Sequence, residues 1–322
     1  MVSYLVKRFF MAIAIIFVMM LIVFFGINVI GDPVLALVDP TATQAEIEET
    51  RQALGLDKSI VEQFFIFIYN VLQGNLGNSF IFDRPAVGII LEHLPATLEL
   101  AFFAFVISLV VGIPCGLFAG LYPKKLLSKI ILSASVLGFS LPSFWVGIVF
   151  IMLFAVTLGW LPALGRGETT EFLGVEVSFL TWDGLKHILL PAINLSLFKI
   201  SLIIRLVRAG TIEVMSQDYI KFAYSKGIKH NRIVRRHVSK NVMIPVVTVI
   251  GIELGHLIAY SVVTETIFSW PGTGKLIVES IFNLDRPVVV AYLMMITLLF
   301  VIINFIVDVI YALLDPRIKI IK

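Results

Sequence analysis

Charged side chains, cysteine and histidine are all scarce in this chain. Only 15% of its 322 residues are charged, and the one cysteine, Cys115, excludes both a disulfide framework and a cysteine-based metal site. The five histidines include no i, i+4 pair with an intervening Glu, the mark of a zinc protease. Hydrophobic residues make up 59% of the chain, and the mean hydropathy is +0.99. This balance excludes an ordinary soluble domain and predicts a polytopic membrane protein.

Six apolar runs are long enough to cross a bilayer, which takes about 20 residues in a helix. The predicted fold is therefore all-α, with six transmembrane helices. The first run follows Lys7 and Arg8 but has no small-x-small cleavage site, so we expect a retained helix. Pro142 lies inside the third run and predicts a tilt or bend. The six runs are Phe9–Ile30, Thr97–Tyr122, Ile130–Trp160, His187–Arg208, Val242–Phe268 and Val288–Leu314.

The distribution of Lys and Arg predicts that both termini are cytoplasmic. In that orientation, 17 of the 25 basic residues lie on the cytoplasmic side. The first loop, 31–96, then faces outward and is acidic, with nine acids against three bases. Because membrane topology accounts for the basic residues, the net charge of +3 does not indicate nucleic acid binding.

The external segment 31–96 is too long for a simple connector, so we expect it to carry structure. "TQAE" at Thr43 fits a capping box that begins a helix ending at Gly55. A second helix is predicted over Ser59–Gln73. Its apolar run is too short to span the bilayer, so it is expected to lie on the membrane surface or to pack on the bundle. We interpret it as a structural cap rather than a substrate contact.

Two motifs resemble catalytic sequences. "WPGTGKL" at Trp270 lacks the first glycine and the Ser or Thr of a P-loop, so this chain is not expected to hydrolyse nucleotide. Ser140 in "GFSLPS" lacks the second glycine of a nucleophile elbow. An intramembrane serine protease pairing Ser140 with His256 stays an alternative, although serines in spans usually bond to backbone or pack between helices.

A basic island, Asp218–Asn241, lies between the fourth and fifth runs. We predict a helix of about ten residues in it, with Ser216 as N-cap, Asp218 in the positive first turn and Gly227 at the C-terminal end. Asn231 is predicted to cap a second helix that continues into the fifth run.

The first of these helices places Tyr219, Phe222 and Ala223 on one face, which is more apolar than a solvated loop requires. One interpretation is that the island only sets topology and touches lipid headgroups. The other is a docking surface for a cytoplasmic partner, formed by two short helices. The second helix would add Ile233, Val234, His237 and Val238.

The chain resembles the membrane subunits, or permeases, of ABC importers of the dipeptide, oligopeptide and nickel branch. Their cytoplasmic loop carries the motif E-A-A-x-x-x-G, of which "KFAYSKG" keeps Ala223 and Gly227, while Lys221 and Phe222 depart from it. The resemblance extends over nearly the whole chain in family order. It rests on "GDP" at Gly31, "LGLD" at Leu54, "LPATLEL" at Leu94, "LPA" at Leu190, "NVMIPVVTVIG" at Asn241, "TETIFSWPGTG" at Thr264 and "LDPR" at Leu314.

This resemblance implies a type I importer permease fold in the bacterial cytoplasmic (inner) membrane. It also implies a second, related permease, two ATPase subunits that bind ATP and Mg, and an external substrate-binding protein; this chain itself would hold no cofactor. The helix in the island would be the coupling helix that fits a cleft in an ATPase. Its residues would be Asp218, Tyr219, Phe222, Ala223, Lys226 and Gly227.

Charged residues inside two apolar runs depart from the general pattern. Lys199 lies near the middle of the fourth run, where a charge requires a partner or water. Glu253 and His256 lie three residues apart near the middle of the fifth run, on one helix face. One interpretation is a Lys199–Glu253 ion pair that orders the bundle. The other is a wet translocation path that meets a charged peptide or another zwitterion.

The predicted organisation is a first helix (1–30), an external helical segment (31–96), a permease core (97–315) with a coupling loop (209–241), and a cytoplasmic tail (316–322). The predicted function is import of di- or oligopeptides, with nickel or glutathione import as the nearest alternative. A protease and a non-transporting receptor or scaffold are the alternatives from other classes.

Overall fold

A computed structural model describes residues 2–29, 34, 38, 42–53 and 56–314 of the chain. Long helices dominate this part. A π-helical turn, Ile151–Thr157, continues the helix Ser143–Phe150. Another, Val234–Val238, joins the helix His230–Ile233 to the helix Ser239–Ile267. The helices are α1 (Val2–Val29), α2 (Gln44–Ala53), α3 (Ile60–Leu72), α4 (Ala86–Leu121), α5 (Leu126–Ser140), α6 (Ser143–Phe150), α7 (Trp182–Ser216), α8 (Asp218–Ser225), α9 (His230–Ile233), α10 (Ser239–Ile267), α11 (Thr273–Phe282) and α12 (Arg286–Leu314).

A helix lies at each of the six predicted runs. Among the described residues, four helices are long and apolar enough to cross a membrane: α1, α4, α7 and α12. The pair of α5 and α6 is a fifth candidate, and the remaining predicted run coincides with α10, a continuous helix of 29 residues. The second run is longer than predicted, because α4 begins at Ala86 rather than Thr97 and contains Pro95 and Pro114.

The third run breaks at the predicted proline. Helices α5 and α6 meet at Leu141 and Pro142 with a bend of 107°. Leu141 has an extended backbone with ψ of 135°, as expected for a residue that precedes proline. Pro142 also lacks the N–H that a continuous helix needs. The prediction of a bend is confirmed, and the bend is sharp enough to make two helices.

The chain divides into two compact units, Met1–Leu94 with Lys275–Phe305 and Pro95–Gly274 with Ile306–Lys322. In the first unit, α3 packs on α1 through aromatic contacts, with the rings of Phe24 and Phe64 5.2 Å apart. No residue of α3 is fully buried, so the helix fits both predicted placements, on the membrane surface or packed on the bundle.

Both predicted external helices begin with a capping box, which the sequence analysis predicted at Thr43 and the structure adds at Ser59. The Thr43 backbone N–H donates to the Glu46 carboxylate at 2.7 Å, and this bond holds the pKa of Glu46 below its usual range. The hydroxyl of Ser59 accepts from the Glu62 N–H, and the Glu62 carboxylate accepts from the Ser59 N–H. The helix that follows Thr43, α2, ends at Ala53. The residue at which it was predicted to end, Gly55, lies outside the described residues.

In the second unit, α4 and α7 approach closely along a row of glycines spaced four residues apart. A Cβ atom at Gly116 would lie 2.7 Å from a side-chain atom of α7, too close for any other residue. Small residues at this spacing let transmembrane helices touch backbone to side chain. The row is Gly112, Gly116 and Gly120 on α4, facing Ile203, Val207 and Thr211 on α7.

Helix α7 is the centre of the second unit and packs against α5, α6 and α10. Before it, the chain forms a small antiparallel hairpin of β1 (Thr170–Phe172) and β2 (Val175–Val177). Leu173 and Gly174 both have positive φ angles of 54° and 80°, the geometry of a type I′ turn. The all-α prediction missed this hairpin.

Candidate functional site

The predicted coupling helix exists as α8, which begins and ends close to the predicted residues. Its N-cap is Gln217, not Ser216, because Ser216 is the last residue of α7 and donates its hydroxyl to the Glu213 carbonyl at 2.7 Å. Asp218 lies in the first turn as predicted and accepts a hydrogen bond from Lys221 at 2.8 Å. This bond and the Lys221 charge hold the pKa of Asp218 below its usual range.

Gly227 stops α8 with a left-handed backbone, at φ of 75°. The Gly227 N–H donates to the Tyr224 carbonyl at 2.8 Å, and the Ile228 N–H donates to the Ala223 carbonyl at 3.2 Å. These two bonds form a Schellman motif, in which glycine adopts the left-handed position at low cost. The two residues that match the family motif, Ala223 and Gly227, therefore hold the same helix end.

The faces of α8 differ from the prediction. Ala223 and Ile220 are buried, whereas Tyr219 and Phe222 are exposed, with Phe222 61% exposed. Helical spacing makes the three residues neighbours as predicted, but only Ala223 of them is buried, and the Tyr219 hydroxyl accepts a hydrogen bond from Asn241 on α10 at 3.0 Å. Exposed aromatic rings leave the outer side apolar, and the Lys226 ammonium lies 4.6 Å from the centre of the Phe222 ring.

The buried side of α8 joins a hydrophobic cluster that links it to the long helices. Ile220 and Ala223 pack there with residues of α7, α9 and α10. Because well-packed interiors are stiff, a force on α8 passes into these helices. The other buried members are Ile203, Val207, Ile233, Val238, Val242 and Val246.

The second predicted helix begins at His230, with Lys229 as its N-cap, so Asn231 lies inside the helix and does not cap it. The turn before it is held by a 2.6 Å hydrogen bond between the Tyr224 hydroxyl and His230 Nδ1. The helix then passes through Val234–Val238 into α10, as the prediction of continuity required.

Lys199 and Glu253 form the ion pair that the sequence left as one interpretation. Lys199 is only 4% exposed, on α7, and Glu253 is half-buried on α10. His256 Nδ1 lies 3.5 Å from the other Glu253 oxygen. The Lys199 ammonium also lies 5.6 Å from the centre of the Tyr260 ring. The spacing along α10 places Glu253, His256 and Tyr260 on one side of that helix. These three side chains and Lys199 of α7 therefore form one polar cluster between the two helices.

This cluster forms part of the wall of a cavity of about 540 Å³. Residues of α5, α6, α7 and α10 line it, and most of them are apolar. Asn194 lines it one turn and a half from Lys199 and is 3% exposed. Sequence reasoning missed Asn194, although a polar amide five residues from a lysine in an apolar run is a signal of the same kind.

A second buried network is centred on Glu99, in one of the motifs that carry the family resemblance. Glu99, in "LPATLEL", accepts hydrogen bonds from Arg166 at 2.6 Å and from the backbone of Ser178 and Phe179 at 2.9 and 2.8 Å. These bonds anchor the loop that carries the β1–β2 hairpin to α4. Glu99 was not among the predicted site residues, because nothing in the sequence indicates a partner 67 residues away.

The "WPGTG" segment has a structural role in place of the excluded phosphate binding. Thr273 and Thr97 hydroxyls are 3.0 Å apart, and the Gly274 N–H donates to the Glu265 carboxylate at 2.7 Å. A Cβ atom at Gly272 would lie 2.4 Å from that carboxylate, which explains the glycine. The backbone of this glycine loop therefore binds the Glu265 carboxylate of the same chain.

The Ser140 side chain is not positioned as a nucleophile. Its hydroxyl donates to the Val136 carbonyl at 2.9 Å, the backbone bond that serines in spanning helices usually make.

Two family models together match most of the chain. The model described as "Binding-protein-dependent transport system inner membrane component" matches residues 112–320. Its N-terminal companion, "Binding-prot-dependent transport system membrane comp, N-term", matches residues 1–101. The chain belongs to this family. The resemblance to ABC importer permeases is confirmed, and a family of transport permeases leaves the protease alternative without support.

Relatives and solved structures agree with this assignment. The permease is 36% identical to the "Di/tripeptide transport system permease protein DppB" of Pseudomonas aeruginosa over 99% of both chains. It is 34% identical to the "Glutathione transport system permease protein GsiC" of Escherichia coli, again over 99% of both. A chain of the inward-facing MetNI methionine ABC transporter matches 70% of the permease and 96% of its own length, with a TM-score of 0.57 and 17% identity. That likeness supports the predicted type I permease fold.

Proposed function

We propose that this permease forms half of a translocation path for di- or oligopeptides delivered by an external binding protein. The observation that carries this proposal is the 36% identity over full length to a permease named for di- and tripeptide transport. By the same analogy, a second permease completes the path and two ATPase subunits bind ATP and Mg. Glutathione, itself a peptide, is the second candidate substrate, because relatives named for it match over the same length. Nickel stays an alternative from the sequence resemblance alone.

The coupling role of α8 is part of this proposal. Its outer side offers Tyr219 and Phe222, which are exposed apolar rings of the kind that anchor interfaces. Its inner side, with Ile220 and Ala223, belongs to the cluster shared with α7 and α10. An ATPase that binds the outer side therefore moves both long helices, and so switches access between the two sides of the membrane.

The proposed orientation puts both termini and the coupling loop, 209–241, in the cytoplasm, and segment 31–96 outside. The excess of Lys and Arg on one side supports it. The permease core then covers 97–315 and the tail 316–322. Accessibility of single cysteines to a membrane-impermeant reagent, with Cys115 replaced, tests this orientation at the exposed positions Ser225 and Glu171.

Reconstitution tests the transport function. The permease pair, the ATPases and the binding protein are placed in proteoliposomes, and uptake of a radiolabelled dipeptide is measured with and without ATP. Uptake that requires both ATP and the binding protein supports the proposal, and no uptake of any peptide contradicts it. Mass spectrometry of the ligand bound to the purified binding protein separates dipeptides from glutathione and nickel.

The coupling role has its own test. Phe222→Asp places a charge on the outer side of α8 and is expected to weaken ATPase binding roughly tenfold or more, from the loss of one buried aromatic contact. Phe172→Asp, at an exposed ring on the β1–β2 hairpin, is the matched control and should leave ATPase binding unchanged. Equal effects of the two variants would mean that the loss is not specific to α8.

A further inference from the structure

The cavity beside Lys199 and Glu253 has the size and lining of a small-molecule site. Its volume of about 540 Å³ falls within the range of roughly 300–1,000 Å³ that such sites occupy. Its wall is mostly apolar, with a few polar groups, which is the usual composition of a site that binds and orients a ligand. The polar groups include a cation, an anion and an amide, from Lys199, Glu253 and Asn194.

The ion pair restricts what can enter. A charge buried among spanning helices needs a partner, so neither Lys199 nor Glu253 can be left alone. A ligand with one charge pairs with one of the two side chains and leaves the other without an ion-pair partner. A ligand that brings both a carboxylate and an ammonium can take both partners at once, and the cavity stays neutral. This condition describes a zwitterion.

Asn194, which lines the same cavity, has a buried polar atom without a partner among the described residues. Its amide nitrogen donates to the Thr264 hydroxyl at 3.2 Å, while its oxygen makes no hydrogen bond within the described part of the chain. An amide has donors on one side and an acceptor on the other, so turning it over would again leave one side unpaired. A buried polar atom without a partner is unfavourable, and a ligand N–H or C=O corrects it.

Resting on the peptide transport proposed above, we propose that this cavity is an internal binding site for zwitterionic di- or tripeptides. The ligand carboxylate binds Lys199, the ligand ammonium binds Glu253, and a peptide group binds Asn194. The termini of a dipeptide are roughly 7 Å apart, at about 3.5 Å per residue. The flexible stem of Lys199 allows the pair to separate by such a distance. His256 and Tyr260 form the adjacent wall, next to Glu253 and Lys199.

Binding is measured on the assembled permeases and ATPases in lipid nanodiscs without the binding protein, so that its selectivity does not enter. Equilibrium dialysis with radiolabelled L-alanyl-L-phenylalanine is expected to show saturable binding. The unlabelled dipeptide should displace the label, and its N-acetylated and C-amidated forms should compete at least about tenfold less well, because each lacks one charge. Equal competition by the blocked forms overturns the proposal, as does the absence of saturable binding.

Variants separate a binding role from a structural one. Lys199→Glu combined with Glu253→Lys keeps an ion pair but exchanges the two charges, so it should assemble and bind the dipeptide roughly 10- to 100-fold more weakly. Wild-type binding by this double variant overturns the proposal. Asn194→Leu should also weaken binding, and it decides the matter if the charge exchange prevents assembly. The matched control is Arg84→Glu with Glu92→Arg, which exchanges an exposed ion pair elsewhere and should leave binding unchanged.

Uptake by wild-type proteoliposomes keeps the two proposals distinct. If the complete transporter takes up dipeptides while the nanodisc complex binds none, only the internal site fails. If no peptide is taken up, the transport proposal fails.

Discussion

Trp270 Nε1 donates a hydrogen bond of 2.8 Å to the carbonyl oxygen of Ala96, across 174 residues of sequence. Both groups are fully buried. Each belongs to a motif that carries the family resemblance, "TETIFSWPGTG" and "LPATLEL". The Thr97 and Thr273 hydroxyls meet beside this bond. Two motifs that carry the family resemblance therefore meet as one structural joint.

Replacing Trp270 by Phe tests this joint. The substitution keeps an aromatic ring but removes the donor, which leaves the Ala96 carbonyl unpaired, so we expect a loss of about 1–3 kcal/mol in stability. The measurement is thermal unfolding of the detergent-solubilised permease. Trp182→Phe is the control, because Trp182 is 74% exposed and should tolerate the change. A similar loss of stability in both variants would contradict the interpretation.

Glu99 should matter far more than its neighbour Glu92 on the same helix. Glu99→Gln removes the buried charge that pairs with Arg166, whose side chain is 10% exposed, and breaking such a pair costs up to about 3–5 kcal/mol. Glu92→Gln breaks an exposed pair with Arg84, which is worth about 0–1 kcal/mol. Unfolding of both variants, compared under identical conditions, checks the difference. Equal stabilities would show that the Glu99 network contributes little.

The glycine row on α4 predicts a steric effect. Gly116→Leu forces a side chain into Val207 and should cost about 1–3 kcal/mol or more, with lower yield of folded permease. Gly26→Leu is the matched control, since no atom lies within 4 Å of the Cβ position there. Size-exclusion profiles and unfolding temperatures measure both. The close approach of α4 and α7 is refuted if Gly116→Leu behaves as Gly26→Leu does.

Gly227 and Gly74 provide a test of the proposed coupling role of α8, with Gly74 as the conformational control. Both have similar φ angles, 75° and 73°, and open space around the Cβ position. Alanine at either position should cost about 1 kcal/mol, because a Cβ atom disfavours the left-handed backbone. Only Gly227→Ala is expected to reduce peptide-stimulated ATP hydrolysis, since only that helix is proposed to touch an ATPase. An equal reduction with Gly74→Ala counts against the coupling role.

Local signals in the sequence predicted the helices well. Apolar runs of sufficient length placed six helices, the capping box at Thr43 and the helix signals over Ser59–Gln73 placed two more, and Pro142 predicted the bend. These features depend on a few neighbouring residues, so their physical causes are present in the sequence itself. The errors at Ser216 and Asn231 are also local, because a polar residue near a helix end can cap it or lie within it.

Contacts between distant residues were predicted only where charge made a partner necessary. Lys199 and Glu253 were paired correctly because a charge in a span cannot stay alone. The bond between Trp270 and Ala96 and the network of Glu99 gave no such indication. Asn194 was missed for a related reason, since an uncharged amide is less costly to bury than a lysine.

The sequence by itself determined that the chain crosses a membrane, where its helices lie, and to which family its motifs belong, because hydropathy and local helix signals act over short distances. The tertiary structure decided which sides of those helices face inward. It buried Ile220 and Ala223 and exposed Phe222, brought Asn194 beside the Lys199–Glu253 pair, and filled the glycine loop at Gly272 with Glu265. Such arrangements depend on the shapes of several helices packed together, and no single segment of the sequence contains them.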